Sequence, residues 1–84
     1  MDKELLPVKI EVTAYSGYRA NERPIYFLFN RSKKTIKRIM KRWAEPGKDF
    51  FQVLADDGDA YLLYWERDSD SWFLTRIYHD YSGV

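Results

Sequence analysis

The sequence predicts an all-β domain, a six-strand antiparallel meander forming a small, partly open SH3-like barrel. Three observations predict it. Seven Tyr, five Phe and three Trp make up 18% of the chain, and aromatic and β-branched side chains fit a pleated, half-buried surface. Short apolar runs of strand length alternate with clusters of Gly, Pro, Asn and Asp, which punctuate hairpins. With 84 residues the chain reads as one domain, 1–84. Surface scaling buries about 64% of the unfolded chain's area at this size, enough for one thin core that a few large rings can fill.

The first strand is read at Val8-Lys9-Ile10-Glu11-Val12-Thr13-Ala14, where apolar and polar residues alternate. Ser16-Gly17 ends it, and residues 17–24 read as a loop, with Arg23 biased towards an extended conformation by Pro24. Tyr18, Arg19, Glu22 and Arg23 are candidate loop residues. An arginine–carboxylate contact there pins the loop between strands, or the two arginines meet a phosphate or an acidic partner. Ile25-Tyr26-Phe27-Leu28-Phe29 is apolar throughout, as in a strand covered on both faces or central in a barrel. Asn30-Arg31-Ser32-Lys33 reads as a hairpin turn.

Residues 34–43 allow two readings. Ile36, Ile39, Met40 and Trp43 have the spacing of an amphipathic helix face, which would make the fold α+β. A strand needs a β-bulge near Arg38-Ile39 to bring Ile36 and Ile39 to one side. Pattern alone leans to the helix, but Lys33 and Lys34 after a Ser32 cap oppose the positive helix N-terminus.

Glu45-Pro46-Gly47-Lys48 breaks the chain again. Phe50 to Ala55, Ala60 to Trp65 and Trp72 to Tyr78 then read as three strands of a meander. Asp56-Asp57-Gly58-Asp59 and Arg67-Asp68-Ser69-Asp70-Ser71 are their turns, with Asp57-Gly58 as a two-residue hairpin tip. The expected core is Val8, Ile10, Val12, Phe27, Phe29, Phe51, Val53, Leu63 and Leu74, with buried Trp43 and Trp72 closing its ends. Trp65 is expected to be the most accessible Trp.

A net charge of +1 conceals an asymmetry. Residues 31–48 hold eight bases and one acid, and residues 49–84 hold two bases and eight acids. Clustered cations supply salt-dependent affinity for phosphates, and a nearby ring can stack on bases. Lys33, Lys34, Lys37, Arg38, Lys41, Arg42 and Trp43 are therefore the candidate nucleic-acid-binding residues. The bland alternative is a solvated face.

Other chemistries find little support. There is no cysteine and one histidine, so no thiol nucleophile, thiolate metal site or histidine cluster is expected. Asp56, Asp57 and Asp59 resemble the start of a calcium loop but lack the later glutamate and flanking helices. His79 beside Asp80 has no accompanying nucleophile motif, and GxGxxG, P-loop and GxSxG patterns are absent. No enzyme activity and no cofactor are expected. No apolar run approaches a membrane span and MDKELLPVK lacks a signal-peptide apolar region, so a soluble cytoplasmic protein without membrane contact is expected.

The series VKIEVTAYSGYRANERPIYFLF, IKRIMKRW and DFFQVLADDGDAYLLYWERDSDSWFL resembles a small bacterial and archaeal domain family of unknown function. That family is related to segments at the C-terminal end of Y-family-like (ImuB-type) translesion polymerase proteins. The resemblance covers residues 8–78 through GYR, ERP, RW and ADDG in one order. It implies that the segment ending in RW is a strand, here a bulged one. It also implies an accessory role near DNA and supplies no catalytic residues. The function expected is a non-catalytic accessory module that binds DNA or RNA weakly through residues 31–48. The alternative is a protein-interaction module that uses opposite-sign faces or an open sheet edge, with a larger protein or a weak homodimer as partner.

Overall fold

A computed structural model describes residues 2–14 and 24–79. Six strands follow in order: β1 (Asp2–Ala14), β2 (Pro24–Phe29), β3 (Ser32–Glu45), β4 (Lys48–Ala55), β5 (Ala60–Glu66) and β6 (Ser71–Tyr78). Each pairs antiparallel with the next and β6 pairs back with β1, so the strand order closes into a barrel. Tyr18, Arg19, Glu22 and Arg23 lie outside the described residues.

Two long strands turn the corners. β1 pairs with β6 up to Ile10 and with β2 from Glu11 onward. β3 pairs with β2 over residues 32–35 and with β4 over residues 36–45. The barrel is therefore a five-strand sheet, β3-β4-β5-β6-β1, folded onto a three-strand one, β1-β2-β3. β2 is too short to reach the far halves of its neighbours. Among the described residues, β3 over 36–45 has no ladder partner on its second side. The closed order thus coexists with an open edge.

Residues 34–43 are strand, not helix. The helical spacing of Ile36, Ile39 and Met40 arises from two bulges, one between Ile36 and Arg38 and one between Ile39 and Lys41. A bulge inserts one residue and resets the alternation. Ile36 and Ile39 consequently both pack on the core.

The turns follow their residues. Asn30 and Arg31 sit at φ 51° and 64° between paired Phe29 and Ser32, the two positive φ values of a type I′ hairpin turn. Pro46-Gly47 joins paired Glu45 and Lys48, with Gly47 at φ 78°; Pro pre-sets the first position and Gly supplies the second. Four residues separate Ala55 from Ala60, and closure by an Ala55–Asp59 hydrogen bond leaves three of them, Asp56-Asp57-Gly58, as the β4–β5 loop rather than the expected two. Gly58 N–H donates to the Ala55 carbonyl at 3.2 Å, Ala55 N–H donates to the Asp59 carbonyl at 2.9 Å, and Gly58 lies at φ 88°. Ala55 to Gly58 is thus a β-turn completed by a glycine bulge.

The core holds Ile10, Phe27, Phe51, Val53, Leu63, Trp72 and Leu74 as expected, together with Ala55, Tyr61 and Ile77; Val12 and Phe29 pack against it. Val8 does not belong: it pairs with Leu74 yet is 41% exposed, because it stands on the part of β1 that β2 does not reach. β2 is not covered on both faces either, since Ile25 and Leu28 are each 41% exposed.

Arg31 is the residue least suited to its backbone, because an L side chain in the left-handed region is strained. Arg31→Gly is expected to raise stability by about 0.5–1 kcal/mol, read as a higher urea midpoint. A lower midpoint would mean that the arginine side chain makes a stabilising contact.

Candidate nucleic-acid interface

β4 alternates strictly: Phe51, Val53 and Ala55 are fully buried, while Phe50, Gln52 and Leu54 are only partly so. Residues directly opposite each other in a ladder share a face. Trp43 opposite Phe50, Lys41 opposite Gln52 and Arg38 opposite Leu54 therefore point outward, and Ile39 opposite Val53 points inward. Arg42, opposite Phe51, turns to the inner side, where its guanidinium lies 5.1 Å from the Phe51 ring centroid.

This corrects the expectation for tryptophan. One bulge would have left Ile39, Lys41 and Trp43 on the core side. The second bulge, at Met40, turns Trp43 outward, half-buried and outside the core cluster. Trp65 is half-buried, as Trp43 is, packs against the core and donates its Nε1–H to Asp70 Oδ1 at 2.8 Å. Trp72 is buried as expected, at 5%.

Following the register across the five-strand sheet gives rows of outward side chains. One row reads Trp43, Phe50, Tyr64, Phe73 and Lys9 across β3, β4, β5, β6 and β1. Its four rings form a continuous ladder on the outside of the barrel. Trp43 and Phe50 lie 5.1 Å apart with parallel planes, Phe50 and Tyr64 5.3 Å apart at 42°, and Tyr64 and Phe73 5.1 Å apart at 23°. The next row towards the β4–β5 turn reads Lys41, Gln52, Leu62 and Arg76. The Lys41 ammonium stands 5.7 Å from the Trp43 ring and the Lys48 ammonium 4.9 Å from the Tyr64 ring.

Glu45 stands on the same face and accepts the Trp43 Nε1–H at 3.2 Å, and Glu66 lies in its row; most acids of the last meander gather in turns. Asp56, Asp57 and Asp59 sit in or beside the β4–β5 turn, and Glu66, Asp68 and Asp70 in or beside the β5–β6 turn, at opposite ends of β5. Asp49 is held by Arg67 at 2.9 Å. Lys34 is the one candidate cation that an acid captures, with Nζ 3.0 Å from Asp57 Oδ2. Lys33, Lys37, Arg38, Lys41 and Arg42 make no ion pair among the described residues, and Lys33 rests over the Tyr26 ring at 4.2 Å. The seven residues expected to act together therefore separate. Arg38, Lys41 and Trp43 share the outward face of the five-strand sheet, Lys37 is the extra residue of the first bulge, Arg42 lies on the inner side yet exposed, and Lys33 and Lys34 belong to the β2 side.

The Lys34–Asp57 contact belongs to a structural cluster that secures one end of the barrel. The buried Tyr61 hydroxyl donates to Asp57 Oδ2 at 2.6 Å and the Asp59 N–H donates to Asp57 Oδ1 at 2.9 Å. Burial pushes the Asp57 carboxyl up, but Tyr61, the Asp59 N–H and Lys34 outweigh it and hold it below the ordinary carboxylate range. Burial and the same carboxylate push the Tyr61 hydroxyl well above its ordinary range. His79 Nδ1 lies 3.2 Å from Asp59 Oδ2 at the same end, and Asp80 lies outside the described residues.

Phe50, Tyr64 and Phe73 were not among the residues singled out from the sequence. Their signal is three aromatic doublets in successive strands, Phe50-Phe51, Tyr64-Trp65 and Trp72-Phe73. Alternation places one ring of each doublet in the core and the other outside.

Two outcomes follow from this placement. Trp72→Ala is expected to destabilise by about 3–5 kcal/mol as a buried ring, and Trp43→Ala by only about 1–2 kcal/mol as a surface ring in a stacked pair; equal losses in chemical denaturation would contradict the outward placement. A carboxyl depressed in the folded state contributes stability above its unfolded pKa, near 3.9, and loses it as pH falls through the folded value. Stability is therefore expected to drop as pH falls from about 4 downward, and Asp57→Asn to remove part of that drop. Identical pH dependence of the urea midpoints would remove Asp57 from the account.

No family model, no curated protein and no solved structure matches the chain.

Proposed function

We propose that this protein is a non-catalytic module that binds nucleic acid through the outward face of β3 and the sheet beside it. The observation that carries the reading is the separation of charge. The bases of β3 at Arg38 and Lys41 stand beside Leu54 and Gln52, while the acids of the last meander gather in turns at the barrel ends. Arg38 and Lys41 therefore have no acid directly opposite them in the ladder, and clustered cations of this kind bind phosphates with a strong salt dependence. The resemblance to polymerase-associated segments agrees with an accessory role near DNA.

Few cations share the face, so affinity is modest. Three or four phosphate contacts give a slope of log K against log salt of about −2 to −3.5. The expected result of a salt titration against labelled DNA and RNA is binding at low salt with that slope. The double variant Arg38→Glu, Lys41→Glu is expected to abolish it with little change in melting temperature. No binding of any nucleic acid at low salt would overturn the proposal.

A second reading has its own observation. β3 over residues 36–45 lacks a ladder partner on one side among the described residues, and an extended peptide can add to such an edge. The two bulges and the cations along it are, however, the devices by which proteins guard an edge against strand addition.

A further inference from the structure

The ring ladder deepens that proposal and rests on it. We infer that the ligand is single-stranded, with its bases against the row Trp43, Phe50, Tyr64 and Phe73 and its phosphates on the flank formed by Arg38 and Lys41.

The rings are not needed to fill the interior. Phe27, Phe51, Leu63, Trp72 and Leu74 already do so, and the ladder stands on the opposite face of the same strands. It runs across the strands, over three inter-strand spacings or about 14 Å, which is room for about two or three bases. Tyr64 is 8% exposed, enclosed between Phe50 and Phe73, while those two and Trp43 remain half-buried. The accessible ring surface therefore belongs to Trp43, Phe50 and Phe73.

Charge selects the occupant. The row on one flank carries Lys41 at its β3 end, with Arg38 one row further, while Arg76 at its far end stands opposite Glu4 of β1. Glu45, Lys48 and Glu66 alternate in sign on the other flank. An apolar peptide has no use for the cationic flank, whereas a nucleic-acid strand has a planar apolar side and an anionic side in one chain. A duplex fits poorly. Its bases are stacked inside and offer only groove edges, which are read by a helix or a two-stranded ribbon that enters the groove. A row of upright rings does not enter a groove, and because neighbouring rings turn their faces to one another, a base meets the row at ring edges and at its ends, which needs unstacked bases.

The test uses the unmodified protein with oligothymidylate and oligouridylate of about 12 nucleotides and a duplex of the same length, by fluorescence anisotropy at low salt. The expected result is at least tenfold tighter binding of the single strands. Phe50→Leu and Phe73→Leu keep an apolar side chain and remove the ring, and each is expected to weaken single-strand binding at least about fivefold. Proton NMR of the unmodified protein supplies a readout that needs no variant, since ring protons of Phe50, Phe73 and Trp43 should shift on adding the single strand. Equal affinity for duplex, or unaffected binding by both leucine variants with unmoved ring protons, overturns the single-strand path. If Arg38→Glu, Lys41→Glu still abolishes binding in that case, the nucleic-acid reading survives without it. No binding of any strand overturns both.

Discussion

The outer face depends on a mismatch of length between β3 and β4. Residues 36–45 of β3 run against residues 48–55 of β4, ten residues against eight, and the two in excess are Lys37 and Met40. Each extra residue exchanges the faces of everything that follows it. After the first bulge Ile39 returns to the core beside Ile36. After the second, Lys41 and Trp43 turn to solvent. Remove either bulge alone and Trp43 faces inward, towards space that Phe51 and Trp72 already fill. The bulges also sharpen the local twist, which lets one long strand serve both sheets.

Once Trp43 is outside, the rest of the ladder follows from simple alternation. Phe50, Tyr64 and Phe73 are the outward partners of buried neighbours in β4, β5 and β6, and the ladder register brings them into line. Cross-strand aromatic pairs contribute about 0.5–1.5 kcal/mol each, so the ladder also stabilises the sheet. Turn chemistry completes the surface. Tight turns favour Asp and Gly because their side chains or backbones tolerate the required φ, and Asp56, Asp57, Asp59, Asp68 and Asp70 sit in two of them.

The architecture was legible in the sequence because its signals were local. Alternation in Val8 to Ala14, the Pro46-Gly47 and Asp57-Gly58 turns and the three closing strands each needed only neighbouring residues, and six strands in meander order resulted. The core was legible for the same reason, apart from Val8, whose exposure depends on how far β2 extends. β3 was harder, because a strand with two bulges reproduces the i, i+3, i+4 spacing of a helix. The expected single bulge was real, but the second one decided the fate of Trp43 and left no separate mark in the composition. The basic cluster was plain as a count of charges. Its division between faces, with Arg38 and Lys41 outward, Arg42 inward and Lys34 held by Asp57, required the register. The ladder was present in the aromatic doublets, but recognising it required knowing which strands are neighbours.

The placement of Trp43 opposite Phe50 is the point on which the interface stands, and a nuclear Overhauser experiment on the free protein tests it directly. The account predicts ring-to-ring cross-peaks from Trp43 to Phe50, Phe50 to Tyr64 and Tyr64 to Phe73, with none from Trp43 to Phe51 or Trp72. Cross-peaks between Trp43 and the core rings Phe51 and Trp72, with the Trp43–Phe50 peak missing, would mean that β3 carries one bulge rather than two and that no outward ladder exists.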